Sequence, residues 1–427
     1  MQEQLLRLQN MLTNGFTPYH VTDLAKAQLM QNGYTALFEE DDWTLQEGGK
    51  YFIERDGALI AFSLDNLDQL SFKIAAAHTD ACALKLKENF LVSTPEYTKV
   101  NVETYGGGVW YSFFDRPLKF AGRVVYEKDG EIIAQTVQSP YCVQIPSVAI
   151  HFNREANERF AVNSQIDLLP LLSLQKTDEQ AFFQSLNVNE RVLAHDLFLV
   201  SAEPAFESGM QNELLSAPRI DNLTSAQAVL EALLSHTEKS GICVGALFNH
   251  EEVGSGTAPG AGGDFLENTL RRIAYSLRFN EIEFFKAMAN SFLLSVDNAH
   301  AVHPNHPEKS DITNKTQMGK GIVIKSHANQ SYTTTGVTCG ILKCIFEKAN
   351  VPYQMFYNRS DLRGGATLGH ISMARFGIHG ADIGIAQLAM HASVECFAKA
   401  DYSALIDGVS AFYSTPISQK ENTICLQ

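Results

Sequence analysis

The chain has 427 residues, 45% hydrophobic and 19% charged, with 33 Lys and Arg against 48 Asp and Glu for a formal charge of −15. That composition supports a large core and two or three domains and argues against disorder. The acidic balance argues against a nucleic-acid binder or a protein of anionic membrane surfaces. No apolar run reaches the roughly 18 residues of a membrane span. The opening Met1-Gln2-Glu3-Gln4 has neither the basic nor the apolar part of a secretory signal. Seven scattered cysteines, never spaced C-x-x-C, read as reduced thiols of a cytoplasmic protein, not as a disulfide framework or a thiolate zinc site.

In chain order, leucines and Met11 at helical spacing predict a helix over 5–12. A second helix runs from Thr17-Pro18 through Met30, ended by Gly33. Residues 51–62 read as a hairpin about Asp56-Gly57, and 72–77 as a buried strand ending at His78-Thr79-Asp80. From about 82 to 215, short alternating runs such as 123–126 and 131–137, separated by turn signals such as Asp129-Gly130, predict an all-β module. The polar stretch 177–191 is a helix or an irregular excursion. After 215 the pattern alternates: helix 223–234 with Asp221 at its mouth, strand 242–249, helix 266–279, strand 292–297, strand 321–325, helix 336–349, strand 378–385 and helix 387–400. The fold class that follows is an α/β layer domain interrupted by a β-rich insertion. No internal repeat or low-complexity segment is apparent.

Acids and histidines collect at the predicted strand ends and helix starts: His78 and Asp80, Asp221, Glu251 and Glu252, Asp297, with His391 placed on the last long helix. Open α/β sheets bind ligands at the carboxyl ends of their strands, so these residues point to one shared site. Imidazole nitrogen and carboxylate oxygen are zinc donors. Two His and three acids, one of them bridging, can hold two cations that acidify a shared water and polarise a carbonyl. Asp80 is placed to orient His78. Adjacent strand residues face opposite ways, so Glu251 and Glu252 serve one site only if the strand breaks, and Val253-Gly254-Ser255-Gly256 supplies a break. One glutamate can then ligate while the other acts as general base. Plainer readings stay open residue by residue: a solvated Glu-Glu pair, a core His78, a structural His391, Asp221 as a helix cap. Gly106–Gly108 and Gly260-Ala261-Gly262-Gly263 match no nucleotide-binding pattern. His300, His303 and His306 lie in a proline-containing loop, solvated or beside the site.

The same residues sit in a series of motifs that resembles the aspartyl aminopeptidases over nearly the whole chain. The motifs are Thr17-Pro18-Tyr19-His20, AAHTD at 76–80, FFDRPL at 113–118, IPSVAIHFNR at 145–154, RIDNL at 219–223, NHEEVGS at 249–255, SVDNAHAVHPN at 295–305, GIVIK at 321–325 and DIGIAQLAMHAS at 382–393. The resemblance implies a co-catalytic site for two divalent metal ions, expected to be zinc. His78, Asp221, Glu252, Asp297 and His391 fall on the ligands, with Asp221 bridging, and Glu251 falls on the general base. It implies an α/β metallopeptidase sandwich domain, residues 1–80 plus 217–427, carrying an inserted β-rich dimerisation domain, 81–216, in dimers that build a dodecamer. His300 and Lys325 match positions near the substrate, Lys325 meeting an acidic first side chain. His151 matches a histidine that reaches a neighbouring subunit's site.

The chain departs from the family pattern in three places. Ala81-Cys82 follows HTD where Ser-Pro is usual, which puts a thiol near the site. The loop 360–369 carries Arg363 for a proline and Ala366 for a serine. Gly380-Ala381 precedes the last Asp-Ile-Gly. The expected function is removal of N-terminal Asp or Glu from peptides by metal-activated water. The alternatives are a leucyl-type or broad neutral aminopeptidase on the same fold, motivated by the altered loop, and a catalytically silent dodecameric scaffold or cargo protein.

Overall fold

A computed structural model of the chain describes residues 2–67, 70–235, 240–362, 364–365, 367–420 and 423–426. Four apolar runs form strands buried along their whole length, Ala58–Leu64, Phe72–His78, Ile242–Phe248 and Phe292–Val296. Strands apolar on both sides need cover on both sides, and they lie inside a nine-stranded sheet. Its order is Thr35–Ala36, Lys50–Arg55, Ala58–Leu64, Ile242–Phe248, Phe72–His78, Phe292–Val296, His379–Gly384, Ile322–Lys325 and Tyr353–Phe356. The four strands from Ile242–Phe248 to His379–Gly384 run parallel, so their carboxyl ends share one edge.

Side chains alternate between the two faces with the period of a strand. Ala75, Ala77, Leu294 and Val296 pack against Gln2–Asn14, Pro18–Gln31, Ile220–Leu234, Gly336–Lys348 and Lys399–Ser414. Phe72, Ile74, Ala76 and Leu293 face Phe265–Ser276, Glu281–Ala289 and Leu368–Phe376. The helix expected over 266–279 is Phe265–Ser276, and a second one, Glu281–Ala289, follows it from a capping box made by Asn280 and Glu283. No helix among the described residues is long and apolar enough to cross a membrane.

A six-stranded antiparallel sheet takes its strands from residues 83–201, in the order Glu131–Gln138, Leu118–Lys128, Val192–Ser201, Ala83–Ser93, Thr98–Tyr105 and Leu171–Ser173. It has its own core, centred on Phe90, Phe120 and Phe182. Phe182 comes from the short helix Glu179–Ser185, whose N-cap Asp178 accepts the Ala181 N–H.

A third sheet corrects the sequence reading. The segment 387–400 is not a helix. Ala386–Leu388 and Glu395–Ala398 are antiparallel strands, Gln387 opposite Phe397 and Leu388 opposite Cys396, and a helix starts only at Lys399. Between them Ala389 and His391 have φ of 57° and 66°, outside the right-handed helical region. His391 is therefore a turn residue. The sheet is completed by Phe206–Ser208, Leu214–Ala217 and Ala299–His300.

The junction of strands at the shared edge is tight. The Asp297 N–H donates to the Ile383 carbonyl at 2.8 Å, and a Cβ on Gly384 would lie 1.9 Å from the Asp297 carbonyl oxygen. Gly384→Ala is expected to cost about 1–3 kcal/mol by overpacking. It should lower the thermal denaturation midpoint, and an unchanged midpoint would show that the strand end yields freely.

Candidate metal centre

Each side chain of the centre arrives from the end of an element. His78 ends Phe72–His78, and Thr79 ties the chain down there: its N–H donates to the Phe248 carbonyl and its hydroxyl to the Gly57 carbonyl. Ile242–Phe248 stops because His250 takes φ of 63° and Gly254 φ of 99°, enclosing a short turn at Glu251–Val253. The break thus begins at His250, ahead of the glycine-rich stretch. The Asp80 carboxylate holds this turn, accepting the Glu251 N–H at 3.0 Å, the Glu252 N–H at 3.1 Å and the Tyr105 hydroxyl at 2.8 Å. This is how two neighbouring glutamates come to face one site. Asp80 also faces His78: its backbone carbonyl accepts from Nδ1 at 3.0 Å, and its Oδ1 lies 3.4 Å from the same nitrogen.

Asp221 opens Ile220–Leu234 after Arg219, which has φ of 60°. It makes no side-chain cap, so the helix-cap reading falls. Its Oδ1 lies 3.5 Å from His78 Nε2 and its Oδ2 lies 3.3 Å from His391 Nε2. Around His78 Nε2, Asp297 Oδ1 lies at 3.8 Å and Glu251 Oε2 at 4.0 Å, and His391 Nε2 lies 3.5 Å from Glu252 Oε2. Two groups of donors result, each within 4.8 Å: His78, Asp221 and Asp297 in one, Cys82, Glu252 and His391 in the other.

The electrostatics of the centre are unbalanced. Burial, with Asp297 close by, pushes the Glu251 carboxyl up to about 8, and burial beside Asp221 pushes Glu252 up to about 7. Burial opposes the charged form of Asp221, yet the two imidazoles hold it far below the usual carboxylate range. Burial works against charge on both histidines too, and the carboxylates hold them above their ordinary value. Asp221 Oδ1 and Glu252 Oε1 are buried with no hydrogen-bond partner, an arrangement that costs several kcal/mol unless a cation is supplied. Donors of imidazole and carboxylate type, separated by more than a hydrogen bond and left with orphaned oxygens, fit two divalent metal ions.

The remaining expected residues are distributed around this floor. A cavity of about 290 Å³ is lined by His78, Asp221, Glu251, Asp297, Lys325 and His391, with His300 and Phe356 at its side. Lys325 is fully buried, its ammonium 3.3 Å from Asp297 Oδ2 and 3.2 Å from the Asn298 carbonyl. His300 joins this cavity to a larger one that also holds His303 and His306. His151 lies in an exposed turn and lines neither cavity. Arg363 and Ala366 lie outside the described residues.

Sequence reasoning missed three supports. Glu395, fully buried, accepts the Asp221 N–H at 2.9 Å and the His391 N–H at 2.6 Å. The buried Arg219 guanidinium donates to the Ser201 and Leu12 carbonyls, pinning the helix start. The glycine loop after Tyr105 reaches the site, with the Gly107 carbonyl 3.2 Å from His391 Nδ1. None had a local signal except the run Gly106–Gly108 itself.

Comparisons with known proteins agree with this architecture. Residues 11–413 match the family described as Aminopeptidase I zinc metalloprotease (M18). A "Probable M18 family aminopeptidase 2" of Clostridium novyi (strain NT) is 39% identical over 391 residues, 88% of this chain and 90% of that protein. The same name belongs to a protein of Ectopseudomonas mendocina (strain ymp), 35% identical over 97% of this chain and 99% of its own length. Among solved structures, a chain of the "Cryo-EM structure of the Ape4 and Nbr1 complex" superposes with a TM-score of 0.91 at 32% identity, covering 96% of this chain and 85% of that one. The "Structure of S. cerevesiae mApe1 dodecamer" gives 0.80 at 25% identity, covering 96% of each chain. The chain belongs to the M18 family of zinc metallo-aminopeptidases.

Proposed function

We propose that the chain removes the N-terminal residue of peptides and prefers Asp or Glu. One observation carries this reading: the two oxygens of Asp221 face two different imidazoles, and Glu251 stands beside them in the cavity, outside both donor groups. In this reading His78, Asp221 and Asp297 hold one ion, and Asp221, Glu252 and His391 the other. When bound, the ions supply Lewis-acid polarisation of the scissile carbonyl and an acidified water. Glu251 Oε2 takes the proton of the attacking water and delivers it to the leaving amine. Asp80 keeps Glu251 aimed by holding its N–H, and Glu395 steadies Asp221 and His391 from behind. The cavity, near the lower end of the ~300–1,000 Å³ of small-molecule sites, suits a single residue at a chain end.

The acidic preference rests on Lys325, the buried cation of the cavity wall. Its existing pair with Asp297 favours a second reading, a neutral or broad aminopeptidase, because an ammonium already paired attracts a second carboxylate less. A panel of Asp-, Glu-, Leu-, Lys- and Ala-linked chromogenic substrates, assayed before chelation, after it and with zinc restored, separates the two. Chelator-sensitive activity led by Asp and Glu is expected, and Leu or Ala in the lead would replace the acidic reading by the neutral one. Glu251→Gln should lower kcat by roughly 10²–10⁴-fold, the worth of a general base, with the metal content unchanged. Near-normal turnover would remove Glu251 from that role.

Removing the ions should also leave a pH signature. Glu251 and Glu252 are raised from 4.5 to about 8 and about 7, so without metal the folded chain binds more protons than the unfolded one across that window. Their stabilising contribution is complete below pH 4.5 and is lost as the pH rises through about 7 to 8. Ions bind the deprotonated donors and reverse the trend. The denaturation midpoint of chelated protein should therefore fall from about pH 5 to about pH 8 more steeply than that of zinc-loaded protein. Parallel curves would contradict the assignment.

The cytoplasmic reading rests on the number and scattered spacing of the seven cysteines in the sequence. For assembly, we place the catalytic domain in 1–80 and 217–427 and an inserted dimerisation domain in 81–216. Val148, Ile150, Phe152, Phe160 and Ile166 are exposed apolar side chains of one stretch of that second unit, Phe152 at 87%, and we infer that this stretch is covered in the assembly. His151 lies in the same stretch, in an exposed turn, and in this reading it enters a neighbouring subunit's site once the chain assembles. Light scattering should give a large homo-oligomer, and Phe152→Glu a smaller species. A monomeric wild-type chain would overturn this arrangement.

A further inference from the structure

We propose that Cys82 is a ligand of the metal position formed by Asp221, Glu252 and His391, which makes that position a mixed nitrogen, oxygen and sulfur site selective for zinc-like ions. The inference rests on the dinuclear reading above and adds a donor to it. The Cys82 thiol lies 3.2 Å from Glu252 Oε2, and that oxygen lies 3.5 Å from His391 Nε2, itself 3.3 Å from Asp221 Oδ2. With bonds of 2.0–2.3 Å, the edges of a tetrahedral zinc set measure about 3.3–3.6 Å; the two histidine distances fall in that range, the sulfur–oxygen one lies just below it, and Cys82, Glu252 and His391 all lie within 4.8 Å of one another. Glu252 gives independent support: its side chain is only 4% exposed, and its Oε1 has no hydrogen-bond partner.

The thiol is also confined. A Cβ on Gly106 would lie 2.8 Å from Cys82 Sγ, 3.2 Å from Glu252 Cβ and 3.3 Å from Glu252 Oε2. The glycine lets the loop close over the cysteine, and the loop leaves the sulfur little room to turn away. Once a cation takes Glu252 Oε2, the thiol loses its hydrogen-bond acceptor while remaining within reach of the ion. It then binds as thiolate and releases its proton to solvent. The other position, His78, Asp221 and Asp297, has no sulfur within its donor group. Soft thiolate favours zinc over manganese or magnesium, whereas nitrogen and oxygen donors discriminate less. The two positions should therefore differ in metal preference.

The test uses the full chain, stripped of metal and titrated with cobalt(II) while near-ultraviolet absorption is followed. A sulfur-to-cobalt charge-transfer band is expected to grow with one of the two equivalents. In Cys82→Ser and Cys82→Ala, two ions should still bind, the band should vanish, and zinc should be lost to a competing chelator about tenfold more readily, the lower end of the effect of losing a supporting group. Should one variant fail to fold, the other and the wild-type band decide. Two cobalt ions bound without the band, or a band that persists in both variants, overturns the inference and leaves the peptidase reading standing. Fewer than two ions bound overturns both.

Discussion

Four carboxylates and two imidazoles share one buried corner at the ends of parallel strands, and the surrounding structure is organised around making that density of charge tolerable. Asp221 is at its centre, with one oxygen toward each histidine. In water such a cluster would disperse. Here the strand ends, the helix start and two tight turns hold it together, and the cost falls on protons the glutamates keep or on cations that replace them. The same crowding that makes the empty centre unfavourable is what gives it affinity for metal.

The means of holding it are backbone hydrogen bonds to two further acids. Asp80 and Glu395 each accept two N–H groups from residues of the cluster, Glu251 and Glu252 in one case, Asp221 and His391 in the other. Neither acid needs to touch a cation to matter. Each fixes the direction of its neighbours' side chains by fixing their peptides, which is how a site gains precision from groups outside it.

How much of this could be read from the chain depends on the range of the interactions. The buried strands were legible because an apolar run announces itself locally, and the acids and histidines that interrupt those runs, at His78, Glu251 and Asp297, stood at strand ends where the topology gathers them. The motif series then pointed to the family that the comparisons establish. The segment 387–400 misled because its apolar spacing fits a helix, while the left-handed residues Ala389 and His391 and the pairing with Leu214–Ala217 have no local signature. Glu395 and Arg219 were invisible for a related reason. A buried charge is identified by partners far away in sequence, here 174 positions for Glu395 and Asp221, and up to 207 for Arg219 and Leu12.

The loop that follows Tyr105 links the two large sheets. Tyr105 belongs to a strand of the six-stranded sheet, yet its hydroxyl holds Asp80, and two residues later the Gly107 carbonyl meets His391. The Val109 N–H donates to the His391 carbonyl, and the Ser112 hydroxyl accepts the Ser393 N–H. The wall of the metal centre is therefore stitched across the seam between the units. A shift of the six-stranded sheet against the nine-stranded one would reach His391 directly, so any motion between them is also a motion of the wall of the metal centre.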